Sequence, residues 1–348
     1  MRRRRFLAAA GGAAAAGLAG CTGLVTTEPA GAPPVLSDRP DAVYFPTHVE
    51  GMAMAGTGRD GDYRFALFYS YPHRFWNVNG RDVSLTDIAS GDDVHLMASV
   101  WDAETMQVLP DTGLSLEIER DGDLVSQEVI YPMLSQPMGF HYGANFGLEG
   151  DGSYDVTASV GGVSTRRTGG YEGRFADPGS ATVSFDYSRG ARDDIPYEIT
   201  PDRAGERAAV EPMEMSMGGM SMPMGFARPA AELPGVVGEA TSGDARFVVG
   251  TLDAPPAGVE GEGTYLYVSA RTPYNRMVIP AMAVEAATAG FDGDLTATLD
   301  PELGYHYGAV VGGVGSEVEV RPTLPPQTAR HEGYETAFMQ FEPMVVSP

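Results

Sequence analysis

The sequence predicts an all-β protein made of two antiparallel β-sandwich domains in tandem. Apolar residues alternate with polar ones over short runs, the period of a strand with one face buried. Forty-five glycines and 26 prolines break the chain often, leaving few stretches long enough for a capped helix. The chain also repeats itself: His141-Tyr142-Gly143-Ala144 recurs as His306-Tyr307-Gly308-Ala309. One shared tetrapeptide is near the chance level for a chain of this length, but two further matches follow in the same order. Arg167, Gly170, Tyr171, Glu172 and Phe175 recur as Arg330, Gly333, Tyr334, Glu335 and Phe338, and Leu96, Ser99, Val108 and Pro110 recur as Leu266, Ser269, Val278 and Pro280. The shifts of 165, 163 and 170 residues differ only by what small loop insertions absorb, so the halves are read as duplicates.

Residues 1–20 read as an export signal. Arg2 to Arg5 precede Phe6-Leu7 and an alanine-rich apolar stretch, resembling a twin-arginine signal. Leu18-Ala19-Gly20-Cys21 resembles a lipobox, which makes Cys21 the expected lipidation site and a lipid anchor the expected membrane contact. Cys21 is the one cysteine, so neither an internal disulfide nor a thiolate metal site is available. Residues 21–40, rich in Thr, Pro, Ala and Gly, read as a flexible tether.

The first sandwich is expected over 41–190. Strand patterns fall at Leu114, Leu116 and Ile118, at Val156, Ala158 and Val160, and at Val183, Phe185 and Tyr187, with turn clusters at Asp121-Gly122, Glu149 to Gly152 and Gly169-Gly170. Residues 191–235 read as a linker, and 236–348 as a second, divergent copy with strands at Phe247 to Leu252, Tyr265 to Ala270, Leu295 to Leu299 and Val318 to Arg321.

Forty-seven acidic residues face 23 basic ones, all arginine. Such a surface repels nucleic acid and resembles the lysine-free, acidic exteriors of extreme halophiles. The sequence shows no nucleophile elbow, zinc-protease helix or phosphate-binding loop, so the protein is not expected to be an enzyme.

Candidate metal ligands fall in four groups. The linker holds Met213, Met215, Met217, Met220, Met222 and Met224 within twelve residues. Thioethers are soft, so clustered methionines suit Cu(I) where thiols would oxidise; a methionine strand packing into a core is the plainer alternative. His48, Glu50, Met52 and Met54 share one face of an extended chain and suit copper or, less well, ferrous iron, although a solvated strand fits the same pattern. Met133, Met138 and His141 lie in one short segment. His306 and His331 make the last group, with Asp300 and Glu302 near along the chain and the linker methionines expected to complete their site. His73, followed by Arg74-Phe75-Trp76, and His95, flanked by Val94 and Leu96 in a strand pattern, read as structural.

Pro137-Met138, His141-Tyr142-Gly143-Ala144-Asn145 and Gly152-Ser153-Tyr154-Asp155-Val156, with Val43-Tyr44-Phe45 before and Gly170-Tyr171-Glu172-Gly173-Arg174-Phe175 after, resemble the bacterial periplasmic iron-transport proteins of the P19 and Tp34 type. The resemblance spans most of residues 41 to 188. It implies immunoglobulin-like β-sandwiches, often homodimeric, that bind copper or other divalent metals through His, Met and Glu beside iron permeases. His141 takes the place of that family's histidine before Tyr-Gly, and Met133 that of its methionine. The departures are that its His-x-Glu strand falls nearest Phe65-Ala66-Leu67, and its later histidine falls among Arg166, Arg167 and Thr168, whereas His331 occupies that place in the second half. The resemblance therefore implies a lipid-anchored copper or ferrous iron protein assisting iron uptake. The alternatives are a non-catalytic surface protein binding a protein partner, and copper-dependent oxidation of Fe(II).

Overall fold

The computed structural model describes residues 34–214 and 222–347, with the backbone of 216, 217, 220 and 221. The export signal, Cys21 and much of the tether lie outside the described residues, as do the side chains of Met215, Met217 and Met220. The fold is an all-β sandwich of antiparallel sheets. Among the described residues no helix is long and apolar enough to cross a membrane.

In the first half, Gly179–Tyr187, Gly152–Val160, Ser115–Arg120 and Asp123–Val129 form a four-stranded sheet. It packs on a larger sheet whose central strands are Tyr63–Ser70, Val94–Asp102, Gly139–Phe146 and Tyr131–Ser135. Side chains on a strand alternate between faces, and here Val94, Leu96, Ala98 and Val100 with Phe140, Tyr142, Ala144 and Phe146 point into the common core. The intervening residues His95, Met97, Ser99 and Trp101 are therefore on the outer face, yet they too are buried. Their cover comes from described residues of the stretch after the first half, among them Val210 and Met222, and from His331 of the second half.

The second half is built on a nine-stranded arrangement. Its strand Phe291–Asp300 pairs over 291–295 with Ala283–Thr288 and over 296–300 with Gly304–Val311. In the first half the corresponding stretch is broken at Ile130, so Asp123–Val129 joins one sheet and Tyr131–Ser135 the other.

The halves exchange strands. Ala329–Arg330 of the second half pairs in parallel with Tyr131–Ser135 of the first, matching Ala329 to Met133 and Arg330 to Leu134. Reciprocally, Arg166–Arg167 pairs in parallel with Phe291–Asp300, matching Arg166 to Thr298 and Arg167 to Leu299. His331 N donates to Leu134 O at 3.0 Å, and its counterpart Thr168 N donates to Leu299 O at 3.0 Å. The repeated Arg-x-x-Gly-Tyr-Glu motif is the loop after each exchanged strand.

Arg330 holds the loop in the first of these crossings. Fully buried, its guanidinium donates to the carbonyls of Ala337 at 2.7 Å, Pro326 at 3.0 Å, Tyr334 at 3.2 Å and Thr328 at 3.3 Å. Burial pushes its pKa down to about 9. The residues read as linker are likewise part of the fold: Tyr197–Ile199 pairs with His48–Glu50, and Met213 N donates to Pro137 O at 2.9 Å.

Replacing Arg330 with methionine fills the same space but leaves those four buried carbonyls without a donor. Loss of about 3 kcal/mol of stability is expected from breaking a buried, charge-assisted network, measured as a lower denaturant midpoint with an unchanged slope.

Candidate metal centre

Five of the six histidines meet on the outer face of the large first-half sheet. His95 is carried by Val94–Asp102 and His141 by Gly139–Phe146. His73 lies in the connection before Phe75–Asn79, and His331 follows the exchanged strand Ala329–Arg330. The ring centres of His73 and His95 are 3.9 Å apart, His73 and His331 4.8 Å, His141 and His331 5.3 Å, and His95 and His331 5.9 Å. His73, His95 and His331 each offer a ring nitrogen such that all three lie within 4.8 Å of one another.

Hydrogen bonds to the opposite ring nitrogens fix which atom carries the proton. Asn145 Oδ1 accepts from His95 Nδ1 at 2.7 Å, while Asn145 Nδ2 donates to His73 O at 2.9 Å, which orients the amide. Gly139 O accepts from His141 Nδ1 at 3.1 Å. His73 Nδ1 lies 2.9 Å from Glu50 Oε2, and the carboxylate favours the proton on that nitrogen. In each of these rings Nε2 is left with its lone pair. The Nε2 atoms of His73, His95, His141 and His331 are all buried without a hydrogen-bond partner. An orphaned buried polar atom costs on the order of 1–3 kcal/mol, so four around one point form a strained arrangement that a cation relieves.

A thioether adjoins the imidazoles. Met133 is the cross-strand partner of His141, and a Cβ placed on Gly143 would stand 2.8 Å from His95 Nε2 and 3.1 Å from Met133 Sδ. The glycine of His-Tyr-Gly-Ala is thus required by the site, since any side chain would occupy the space between these two donors.

Behind the rings lies a carboxylate layer. Glu50 Oε1 is 2.8 Å from His48 Nε2, and His48 Nδ1 is 3.0 Å from Thr47 Oγ1 and 3.4 Å from Glu332 Oε2. Burial disfavours the Glu50 carboxylate, but the electrostatic influence of neighbouring His73 and hydrogen bonds from His48 and His73 outweigh it and hold its pKa well below the usual range. Burial also works against a charged His48, yet Glu50 and Glu332 override it and raise its pKa. Burial dominates elsewhere, lowering His95 and His331 well below the ordinary imidazole value and His141 to about 4. Those rings are neutral at neutral pH, the state a metal ligand requires. A cavity of about 50 Å³ lined by His48, Glu50, Met52, Met97, His331 and Glu332 adjoins the site.

The second copy is closed. His306 repeats the His141 geometry, with Nδ1 donating to Gly304 O at 2.9 Å, but its Nε2 is 2.9 Å from Tyr265 OH. Tyr265 stands where His95 stands in the first half, Thr298 where Met133 stands, and Thr168 where His331 stands. Arg166 fills the remaining space, donating to Thr298 Oγ1 at 2.8 Å, Gly308 O at 2.9 Å and Tyr265 OH at 3.0 Å. Every donor that would face a cation is satisfied, and a guanidinium sits in its place.

Several sequence expectations are redistributed. His48 and Glu50 do share one face, with His48 Nε2 2.8 Å from Glu50 Oε1, but their strand ends at Glu50. His48 and Glu50 go to the carboxylate layer, while Met52 packs with Met138 and Met222 in a separate methionine cluster. His306 and His331 do not form a pair, since strand exchange delivers His331 to the first half. The described linker methionines stand away from His306: Met222 lies on the first-half sheet and Met224 is buried near Gly139, while half-buried Met213 sits over Pro137. His73 and His95, read as structural, are at the centre. The missed signal was that Val94–Asp102 is apolar on both faces, so a second covered surface existed for His95 to occupy.

The family described as a domain of unknown function, DUF7350, matches residues 51–184 and 231–347. The chain belongs to that family. No curated protein matches it. Among solved structures, it is similar to FetP of uropathogenic Escherichia coli strain F11, as isolated after expression in the periplasm, at 23% identity over 39% of this chain and 96% of that one, with a TM-score of 0.31. A copper-bound variant of FetP gives 24% identity over 39% and 97%, with a TM-score of 0.32.

Two outcomes test the geometry of this DUF7350 chain. Gly143→Ala is expected to abolish metal binding, whereas Gly308→Ala, whose added methyl would run into Tyr265 OH, should cost stability and leave metal binding intact in calorimetric titration. In metal-free protein the three neutral imidazoles have folded pKa values below that of the unfolded chain. Their stabilisation is present above pH ~6.5 and is lost as pH falls, with His141 alone worth about 3 kcal/mol by pH ~4. His48 has the opposite sign and offsets part of this loss. Chemical unfolding at pH 7 and pH 5 should show a lower midpoint at pH 5.

Proposed function

We propose that the protein is an extracytoplasmic, lipid-anchored metal-binding protein that holds copper or ferrous iron at His73, His95, His141, His331 and Met133. In this reading it passes the ion to a metal-handling or iron-uptake system, of which an iron permease is the expected partner, and catalyses no reaction. The supporting observation is the set of four buried Nε2 atoms without partners, gathered from four chain segments. The donor chemistry fits: neutral imidazoles with one thioether suit copper and ferrous iron, while magnesium and calcium prefer all-oxygen sites. The Asn145 amide and Glu50 carboxylate supply the outer contacts that orient ligating histidines in metal proteins. The signal-like amino terminus and the residue resemblance to periplasmic iron-transport proteins support the location and the pathway.

Elemental analysis of full-length protein purified without added metal, followed by titration with Cu(I), Cu(II) and Fe(II), decides the matter. The expected outcome is one tightly held ion per chain at the histidine centre, with Cu(II) binding lost in the His95→Gln, His331→Gln double variant. Asn145→Ala should weaken binding by about 10- to 100-fold through loss of ring orientation. Failure of all three ions to bind would remove the reading.

A further inference from the structure

The outer face that carries the histidines continues into a second group of soft donors. Met97, Met138 and Met222 are buried together with Ala66, Phe68 and Trp101, and Met52, Met54 and Met106 pack against them. Six of these nine residues are methionine, against about 0.4 expected from 17 methionines in 348 residues. Packing alone does not call for this. In the duplicate half the positions of Met97 and Met138 are taken by Tyr267 and Leu303, which are buried in one apolar cluster containing no methionine. The same architecture is therefore filled without thioethers where no open histidine site adjoins it.

The group is also placed against the imidazoles. Met97 is two residues from His95 on the same strand face, about 7 Å along the strand, and stands opposite Gly143 across the ladder. Met52 and Met97 line the small cavity that His331 and Glu50 also line. The described residues on either side of Met222 in the chain are fixed: Met213 N donates to Pro137 O at 2.9 Å and Val278 N to Gly225 O at 2.9 Å.

We propose that Met52, Met54, Met97, Met106, Met138 and Met222 form a second metal site, selective for a soft monovalent d10 cation such as Cu(I), which loads the adjoining histidine centre. An all-thioether set has no charge with which to hold a hard or divalent ion, and it binds Cu(I) without the thiolates that an oxidising compartment would consume. The ion moves between the sites in one oxidation state, so the transfer needs no electron donor. This inference rests on the histidine site as the acceptor.

The test uses full-length protein, Ag(I) as a redox-inert probe of the thioether site and Cu(II) as a probe of the histidine site. Met97→Leu, Met138→Leu, Met222→Leu is the key variant; leucine conserves volume and already occupies the duplicate position as Leu303. It should lose at least about 100-fold in Ag(I) affinity while binding Cu(II) as the parent does, which also shows that it folds. The His95→Gln, His331→Gln variant should show the reverse. Unchanged Ag(I) binding in the leucine variant would overturn the proposal, and so would loss of both metals, which would indicate a single shared site. If the histidine variant keeps Cu(II) while the leucine variant loses Ag(I), the histidine reading fails and the thioether site stands.

Discussion

Strand exchange between the two halves is the constraint on which the rest depends. A two-residue ladder, Ala329–Arg330 against Met133–Leu134, brings His331 from near the carboxyl end beside His141 of the first half. Short parallel ladders contribute little by themselves, so the crossing is held by the loop beyond it. There Arg330 is tied to four carbonyls, and Glu335 accepts from Gly333 N at 2.7 Å and from Tyr44 OH. These contacts link the segment at Tyr44 to the last loop of the chain. The fold and the metal centre consequently share the same supports, and neither half can assemble the centre alone.

The pairing also explains why duplication did not yield two equivalent sites. Each half lends its exchanged strand to the other, so each site draws residues from both. In the first, His331 arrives beside His73, His95 and His141. In the second, Arg166 and Thr168 arrive beside His306, and the guanidinium saturates Tyr265, Thr298 and the Gly308 carbonyl. His306 itself is lowered to about 4 by burial, as His141 is, but its lone pair already has a hydroxyl partner. The two histidines differ in what stands opposite Nε2, and together with Tyr265, Thr298 and Thr168 in place of His95, Met133 and His331 that difference separates an open site from a closed one.

Much of the architecture was legible because strand periodicity and the duplication are local or one-dimensional signals. The predicted runs at Leu114 to Ile118, Val156 to Val160, Val183 to Tyr187 and Tyr265 to Ala270 fall within observed strands or at their edges. The site was legible only in part. His141 and Met133 were marked through one short hairpin, since cross-strand pairing makes neighbours of residues close in sequence. His331 was marked but assigned to its own half, because nothing in a single sequence announces that two halves trade strands. His95 lies between Val94 and Leu96 and suits a core strand equally well. Cover from residues such as Val210 and Met222 and from the second half turns that outer face into a second interior.

The acidity of the chain bears on selectivity at the centre. With 47 carboxylates against 23 basic groups, the surface offers many weak sites to hard cations, so a functional site gains little from additional negative charge. The arrangement avoids it: the open positions face imidazole nitrogens and a thioether, while Glu50 is set one layer back, divided between His48 and His73. There it would orient the imidazoles instead of supplying oxygen to a bound ion. A hard cation meeting neutral nitrogen and sulfur donors would lose its hydration shell without compensating oxygens, whereas a soft or borderline ion would gain stronger bonds than water provides. Discrimination at the proposed centre would therefore follow from where the carboxylate stands and not from how much charge the protein carries.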